Sequence, residues 1–142
     1  RKGLIHRNPV ALAETPETSR PETAPPWSGT ELRTFIDHVT GDPLEALWWL
    51  IPFTGMRRSE ALGLGWDDVD FDRGTVAVTH TMVEAAQGPV RRRETKTKRS
   101  RRPISLDEST LGKLRDHRRR QLEERLALGE AYQDLGLVFC RG

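Results

Sequence analysis

The stretch Leu44–Phe53, LEALWWLIPF, constrains the fold more than any other part of the chain. Leu44, Leu47, Trp48 and Ile51 recur at helical spacing, and Trp49 and Leu50 add a second apolar face. A helix that is apolar on both faces has to be enclosed by other elements. The spacing therefore predicts a helix over 44–53 that is buried all round. Pro43 suits its first turn, and Pro52 and Gly55 bracket its end. The material available to enclose it is limited. Of 142 residues 35% are hydrophobic and 31% charged, which fits one modest domain with a small core. Three of the four tryptophans lie between Trp27 and Trp49, so the core is seeded early.

The flanking segments supply the enclosing elements. Residues 1–26 carry four prolines between Glu14 and Pro26 and few apolar residues near them, the composition of an extended linker. Order is expected from Trp27. Ser28-Gly-Thr-Glu31 has the spacing of a capping box, and Leu32, Phe35, Ile36 and Val39 follow along one helical face. After the central helix, a short helix runs from Arg57 to about Leu64. Gly65–Asp70 and Asp72-Arg-Gly74 are turns. Thr75–Val83 alternates as a β-strand, Gln87-Gly-Pro89 turns the chain, and Val90–Thr95 and Arg101–Ser105 read as two further strands of a meander with Lys96–Ser100 at its tip. A helix over about 107–128 is capped by Asp107 or Ser105 and stopped by Gly129. Its leucines Leu111, Leu114, Leu122 and Leu126 form a stripe that Arg118 interrupts. Gly136–Cys140 reads as a short buried strand. The expected fold is a mainly helical α+β domain with a small antiparallel three-stranded sheet at its edge.

Several chemistries find no support. With Cys140 alone, no internal disulfide can form, and His6, His38, His80 and His117 are scattered away from it, so no structural metal is assigned. Asp67, Asp68, Asp70 and Asp72 lack the glycine and distal glutamate of a calcium loop and read as an Asx-capped turn. No signal-peptide pattern or stretch of transmembrane length is present, which sets the expectation of a soluble, cytoplasmic protein without a membrane partner. No glycine-rich phosphate loop precedes a Lys-Ser/Thr pair, and no cofactor is expected.

Charge patterning points elsewhere. Between Arg91 and Arg102 there are eight Lys or Arg and one Glu, a local +7 in a chain whose total is +2, leaving −5 for the remainder. Lys and Arg interleaved with Thr95, Thr97 and Ser100 suit a phosphate backbone. Arg57 and Arg58 follow Thr54-Gly55, with Glu60 three residues beyond Arg57. On a helix, Arg57, Glu60, Ala61 and Leu64 share a face, and Glu60 can steady a guanidinium whose other donors stay free for an anion. The same spacing also describes an ordinary surface ion pair, and it does not choose between Arg57 and Arg58. Tyr132, the sole tyrosine, lies near Glu130 and Asp134, which would raise its pKa and repel a phosphate. It reads as structural.

Thr54-Gly-Met-Arg57-Arg-Ser-Glu60-Ala-Leu-Gly-Leu64, then Trp66-Asp-Asp-Val-Asp70, then Lys96-Thr-Lys-Arg-Ser-Arg-Arg-Pro-Ile-Ser-Leu106 together resemble the tyrosine recombinase (phage integrase) family. The resemblance implies that residues 1–26 are the end of a core-binding domain and its linker, and 27–142 the first half of a truncated catalytic domain. It implies site-specific DNA recombination and integration by strand breakage and rejoining through a 3′-phosphotyrosyl link, without metal or cofactor. Arg57 and Lys96 would be catalytic, with Lys98 the alternative lysine, and Glu60 supporting. Arg58, Lys98, Arg99, Arg101 and Arg102 would contact double-stranded DNA, on which the full-length protein would assemble as a tetramer. The family's second arginine box, of His-x-x-Arg type, and its C-terminal nucleophilic tyrosine are not matched after Leu106. This fragment is therefore expected to be inactive alone. Two other classes remain open: a non-catalytic DNA-binding or regulatory module, and an RNA-binding protein with a basic hairpin.

Overall fold

A computed structural model describes residues 25–86, 88–93 and 103–140. The chain folds as a mixed α+β domain, mainly helical, with a small three-stranded antiparallel sheet. Helix α1 spans Gly29–His38, α2 Glu45–Thr54, α3 Arg58–Leu62 and α4 Glu108–Leu128. The strands are β1 Val69–Asp70, β2 Thr75–Ala77, β3 His80–Ala85, β4 Gly88–Arg93 and β5 Pro103–Ser105.

Local signals set the helix ends. Ser28 accepts from the Glu31 amide while Glu31 accepts from the Ser28 amide, closing the expected capping box of α1. Asp107 caps α4 through the Thr110 amide at 2.9 Å. Gly55, with φ +64°, ends α2 in the left-handed conformation that a side chain disfavours.

Helix α2 packs on α4 and α3. Ala46, Leu47 and Leu50 enter one core with Met56, Ala61, Leu64, Val76, Val78, Leu114, Val138 and Phe139. The helix is not enclosed all round, however. Its last turn leaves Pro52 and Phe53 exposed, and Trp49 stacks on Phe53 at the rim with centroids 5.1 Å apart. Pro52 continues the helix instead of ending it. Helix α4 differs too. Leu111 and Leu114 are buried beside Thr110 and His117, whereas Leu122 and Leu126 are exposed. The buried face of α4 follows 110, 114 and 117, and beyond Gln121 nothing among the described residues covers the leucine stripe.

Residues 136–139 strap the core instead of forming a strand. The Val138 amide donates to Leu64 O at 2.9 Å and the Trp66 amide to Gly136 O at 3.1 Å, with one isolated bridge between Gly65 and Leu137. Gln121 ties the strap to α4, donating to Leu137 O at 3.2 Å and accepting from the Trp66 indole at 2.6 Å.

The expected strand over 75–83 is broken at Val78-Thr79. Before the break β2 pairs with β1 and β5; after it β3 pairs with β4 in a separate two-stranded hairpin. Val78 enters the core, and the Thr79 hydroxyl donates to Asp68, so side-chain bonds turn the chain where the ladder stops. The hairpin closes earlier than expected: Ala85 pairs with Gly88, and Pro89 lies inside β4 opposite Glu84. The strand pairing also departs from the expected meander. Arg93 pairs with His80 and Pro103 with Ala77. β4 and β5, expected as neighbouring strands of one meander, therefore lie in different sheets, and the expected tip Lys96–Ser100 lies outside the described residues.

Candidate functional site

Helix α3 has five residues, too few to hold itself. Buried Met56 and Ala61 fix its two ends, and Glu60 joins them. Arg57 occupies the N-cap position with extended backbone, φ −69° and ψ 150°. Its side chain has no acceptor and cannot cap the helix. Glu60 does the work in reverse: one carboxylate oxygen accepts the Arg57 amide at 2.8 Å and the other accepts Arg57 Nη1 at 2.8 Å.

The two side chains are placed very differently. Glu60 is 3% exposed and Arg57 76%. They do not share a helical face as expected, because Arg57 lies before the first helical residue; Glu60, Ala61 and Leu64 turn inward while Arg57 turns out. Among the described residues the guanidinium has no partner besides Glu60, so most of its donors face solvent. Arg58, the first helical residue, is also exposed and has no ion pair among the described residues.

The basic run is less uniform than its sequence. Arg91 is turned inward: Nε donates to Gly63 O at 2.8 Å and Nη2 to Asp68 at 2.8 Å. Lys96, Lys98, Arg99, Arg101 and Arg102 lie outside the described residues. The link from Arg91 to Asp68 spans 23 positions, and no local sequence signal marks it.

The acidic cluster is a turn with a second task. Asp70 accepts the Asp72 and Arg73 amides at 3.1 and 2.9 Å, as an Asx turn does. Asp68 accepts the Gly65 amide at 3.0 Å as well as binding Arg91. His80 lies at its edge, with Nδ1 2.7 Å from the Thr79 hydroxyl.

One literal His-x-x-Arg spacing does occur after Leu106, from His117 to Arg120. His117 is not an exposed side chain. It is buried, and its Nε2 is 2.8 Å from Val138 O. Burial holds its pKa below the ordinary 6.5, against the opposing pull of that carbonyl. Tyr132 is half-buried, with its hydroxyl 3.8 Å from Cys140 Sγ. Its pKa is pushed up to about 12, first by burial, then by Cys140, and further by Glu124 and Asp134. At neutral pH the phenol therefore stays protonated. No helix among the described residues is long and apolar enough to cross a membrane.

No family model matches the chain. It is 30% identical over 144 residues to a protein named tyrosine recombinase XerC-like from Caldanaerobacter subterraneus subsp. tengcongensis, covering 92% of this chain and 37% of that protein. It is 32% identical over 145 residues to an integrase of Streptomyces ambofaciens, covering 95% and 35%. The chain thus spans little more than a third of the length of these relatives. Among solved structures, the Tn1549 transposon integrase in complex with a circular intermediate DNA matches with a TM-score of 0.65 at 19% identity, over 89% of this chain and 40% of that one. The XerA recombinase matches with a TM-score of 0.58 at 19% identity, over 89% and 37%. At such identity these two establish a shared fold.

Proposed function

The chain belongs to the tyrosine recombinase (phage integrase) family, and from that membership we propose that it supplies DNA contacts and part of the active site for site-specific recombination. The reaction would break and rejoin strands through a 3′-phosphotyrosyl intermediate. Residues 1–26 would end a core-binding domain and its linker, and 27–142 would form the N-terminal half of a catalytic domain. Double-stranded DNA is the partner in this reading, which the DNA complex of the Tn1549 integrase supports.

The observation that carries the proposal is the exposed Arg57 guanidinium held by a buried Glu60. A scissile phosphate gains negative charge on its non-bridging oxygens as it is attacked. A guanidinium with one edge fixed and the other free meets that charge without having to be ordered during the reaction. Lys96 would protonate the departing 5′-oxygen, and Arg58, Lys98, Arg99, Arg101 and Arg102 would hold the phosphate backbone.

The test is Arg57→Ala in the full-length recombinase, with covalent capture of a suicide duplex as the readout. Capture should be abolished while duplex affinity changes little. Undiminished capture would remove Arg57 from the active site. Capture by the 142-residue chain alone would overturn the division of the site proposed here. Duplex binding with no capture by the full-length wild type would favour a non-catalytic DNA-binding module.

A further inference from the structure

Arg91 stands in the basic run but is spent inside the protein. We propose that it is a positioning residue, one that locks the β3–β4 hairpin onto the end of the Arg57 helix, and that it makes no contact with DNA phosphate. This inference rests on the recombinase reading above.

Three observations carry it. First, the Arg91 fork is occupied by acceptors on the segment that follows α3: Nε on Gly63 O and Nη2 on Asp68, both at 2.8 Å. With the Nε–Nη2 edge held by these acceptors, that edge is not available to grip a phosphate through two parallel bonds. Second, Asp68 is nearly buried and is itself fixed, accepting the Gly65 amide at 3.0 Å and the Thr79 hydroxyl. The acid that holds Arg91 therefore also holds the loop after α3 and the break between β2 and β3.

Third, the backbones leave no slack. A Cβ on Gly63 would meet the Thr81 backbone at 2.8 Å, and one on Gly65 would meet Arg91 Nη2 at 2.5 Å. At Gly63 the obstacle is backbone, so a side chain does not fit; at Gly65 a methyl would push the guanidinium from its seat. One end of this assembly is α3, whose N-cap is Arg57. The other is β4, whose last residue, Arg93, is where the chain departs toward residue 94. A shift at Arg91 moves these two ends relative to each other.

The experiment separates position from charge. Arg91→Ala removes the cation. Gly65→Ala keeps the cation but drives a methyl into its seat. Both variants, with Arg57→Ala as reference, are made in the full-length recombinase, and each is checked for cooperative unfolding. Two quantities are measured: the single-turnover capture rate at saturating duplex, and the dependence of duplex affinity on salt.

Both Arg91→Ala and Gly65→Ala should slow capture by on the order of 10- to 100-fold, the effect of an ångström-scale misplacement. Neither should alter the salt slope. The proposal is overturned if Arg91→Ala flattens that slope by about one, the signature of a lost phosphate contact. It is also overturned if both variants capture at the wild-type rate. Should Arg91→Ala fail to fold, Gly65→Ala decides alone, because its charge is intact. An Arg57→Ala protein that captures normally would count against the recombinase reading itself, which is a separate failure.

Discussion

Replacing Glu60 tests the local architecture most directly, because the side chain makes two bonds that differ in value. Its bond to the Arg57 amide satisfies a helix N-terminal donor, a contact worth about 1 kcal/mol. Its bond to Arg57 Nη1 is charge-assisted, but the arginine end is 76% exposed, which reduces it to about 0.5 kcal/mol. Glu60→Ala loses both bonds and leaves space where the buried stem was, for a total of about 2–3 kcal/mol. Glu60→Gln is the more informative change. Its amide oxygen can keep the Arg57 N–H bond, but its NH2 group then faces the guanidinium, donor against donor, in a site that is 3% exposed. An unsatisfied buried donor costs about 1–3 kcal/mol. Relief of the buried charge offsets part of this, leaving about 1–2 kcal/mol.

Urea unfolding followed by tryptophan fluorescence should rank wild type above Glu60→Gln, and Glu60→Gln above Glu60→Ala, with one slope throughout. Glu60→Gln unfolding at or above the wild-type midpoint would refute the reasoning. The carboxylate would then not be what holds the N-terminus of α3, and the orientation of Arg57 would need another cause.

Further outcomes follow from burial. His117 has its pKa lowered by burial, so the unfolded chain binds the extra proton first. Stability should therefore rise with pH from the lowered folded value up to about 6.5 and fall as acid enters that window. His117→Gln should flatten this part of the pH profile of the urea midpoint, and an unchanged profile would refute the assignment. In the core, Leu50→Ala should cost about 2–5 kcal/mol, Leu50 being fully buried. Leu126→Ala, at 84% exposure, should change stability by less than about 0.5 kcal/mol. Comparable losses at the two positions would mean that the distal half of α4 is covered after all.

What could be read from the sequence was what is local. The α1 capping box, Asp107 at the start of α4 and Gly129 at its end each depend on residues within a turn of one another, and each stands where the spacing put it. The leucine stripe of α4 failed for the opposite reason. Periodicity says which residues align along a helix but not how far the opposing surface extends, and the strap reaches only to Gln121. The strand break at Val78-Thr79 was hidden because the alternation of Thr75–Val83 runs through it, and only Asp68, eleven positions away, reveals the turn. The separation of β4 from β5 was hidden likewise, since register across β2–β5 and β3–β4 cannot be taken from strand propensity.

The candidate site shows the same division in a sharper form. Arg57 and Arg91 each bind a carboxylate at 2.8 Å, and in the sequence both look like available cations. In the first pair the acid is buried and the arginine exposed, so the protein anchors one edge of the guanidinium and leaves the others open to solvent. In the second the acid is nearly buried and the arginine is drawn down onto it and onto Gly63 O, so its Nε–Nη2 edge is taken up. The difference lies in the separation of the partners. Glu60 is three residues from Arg57 and meets it at the surface end of a helix, whereas Asp68 meets Arg91 only because the hairpin folds back over the loop after α3. Charge counted along the sequence therefore overstates the phosphate-facing charge of the run by at least the one cation that Asp68 neutralises. The salt slope of DNA binding should be lower than the local charge suggests by that amount.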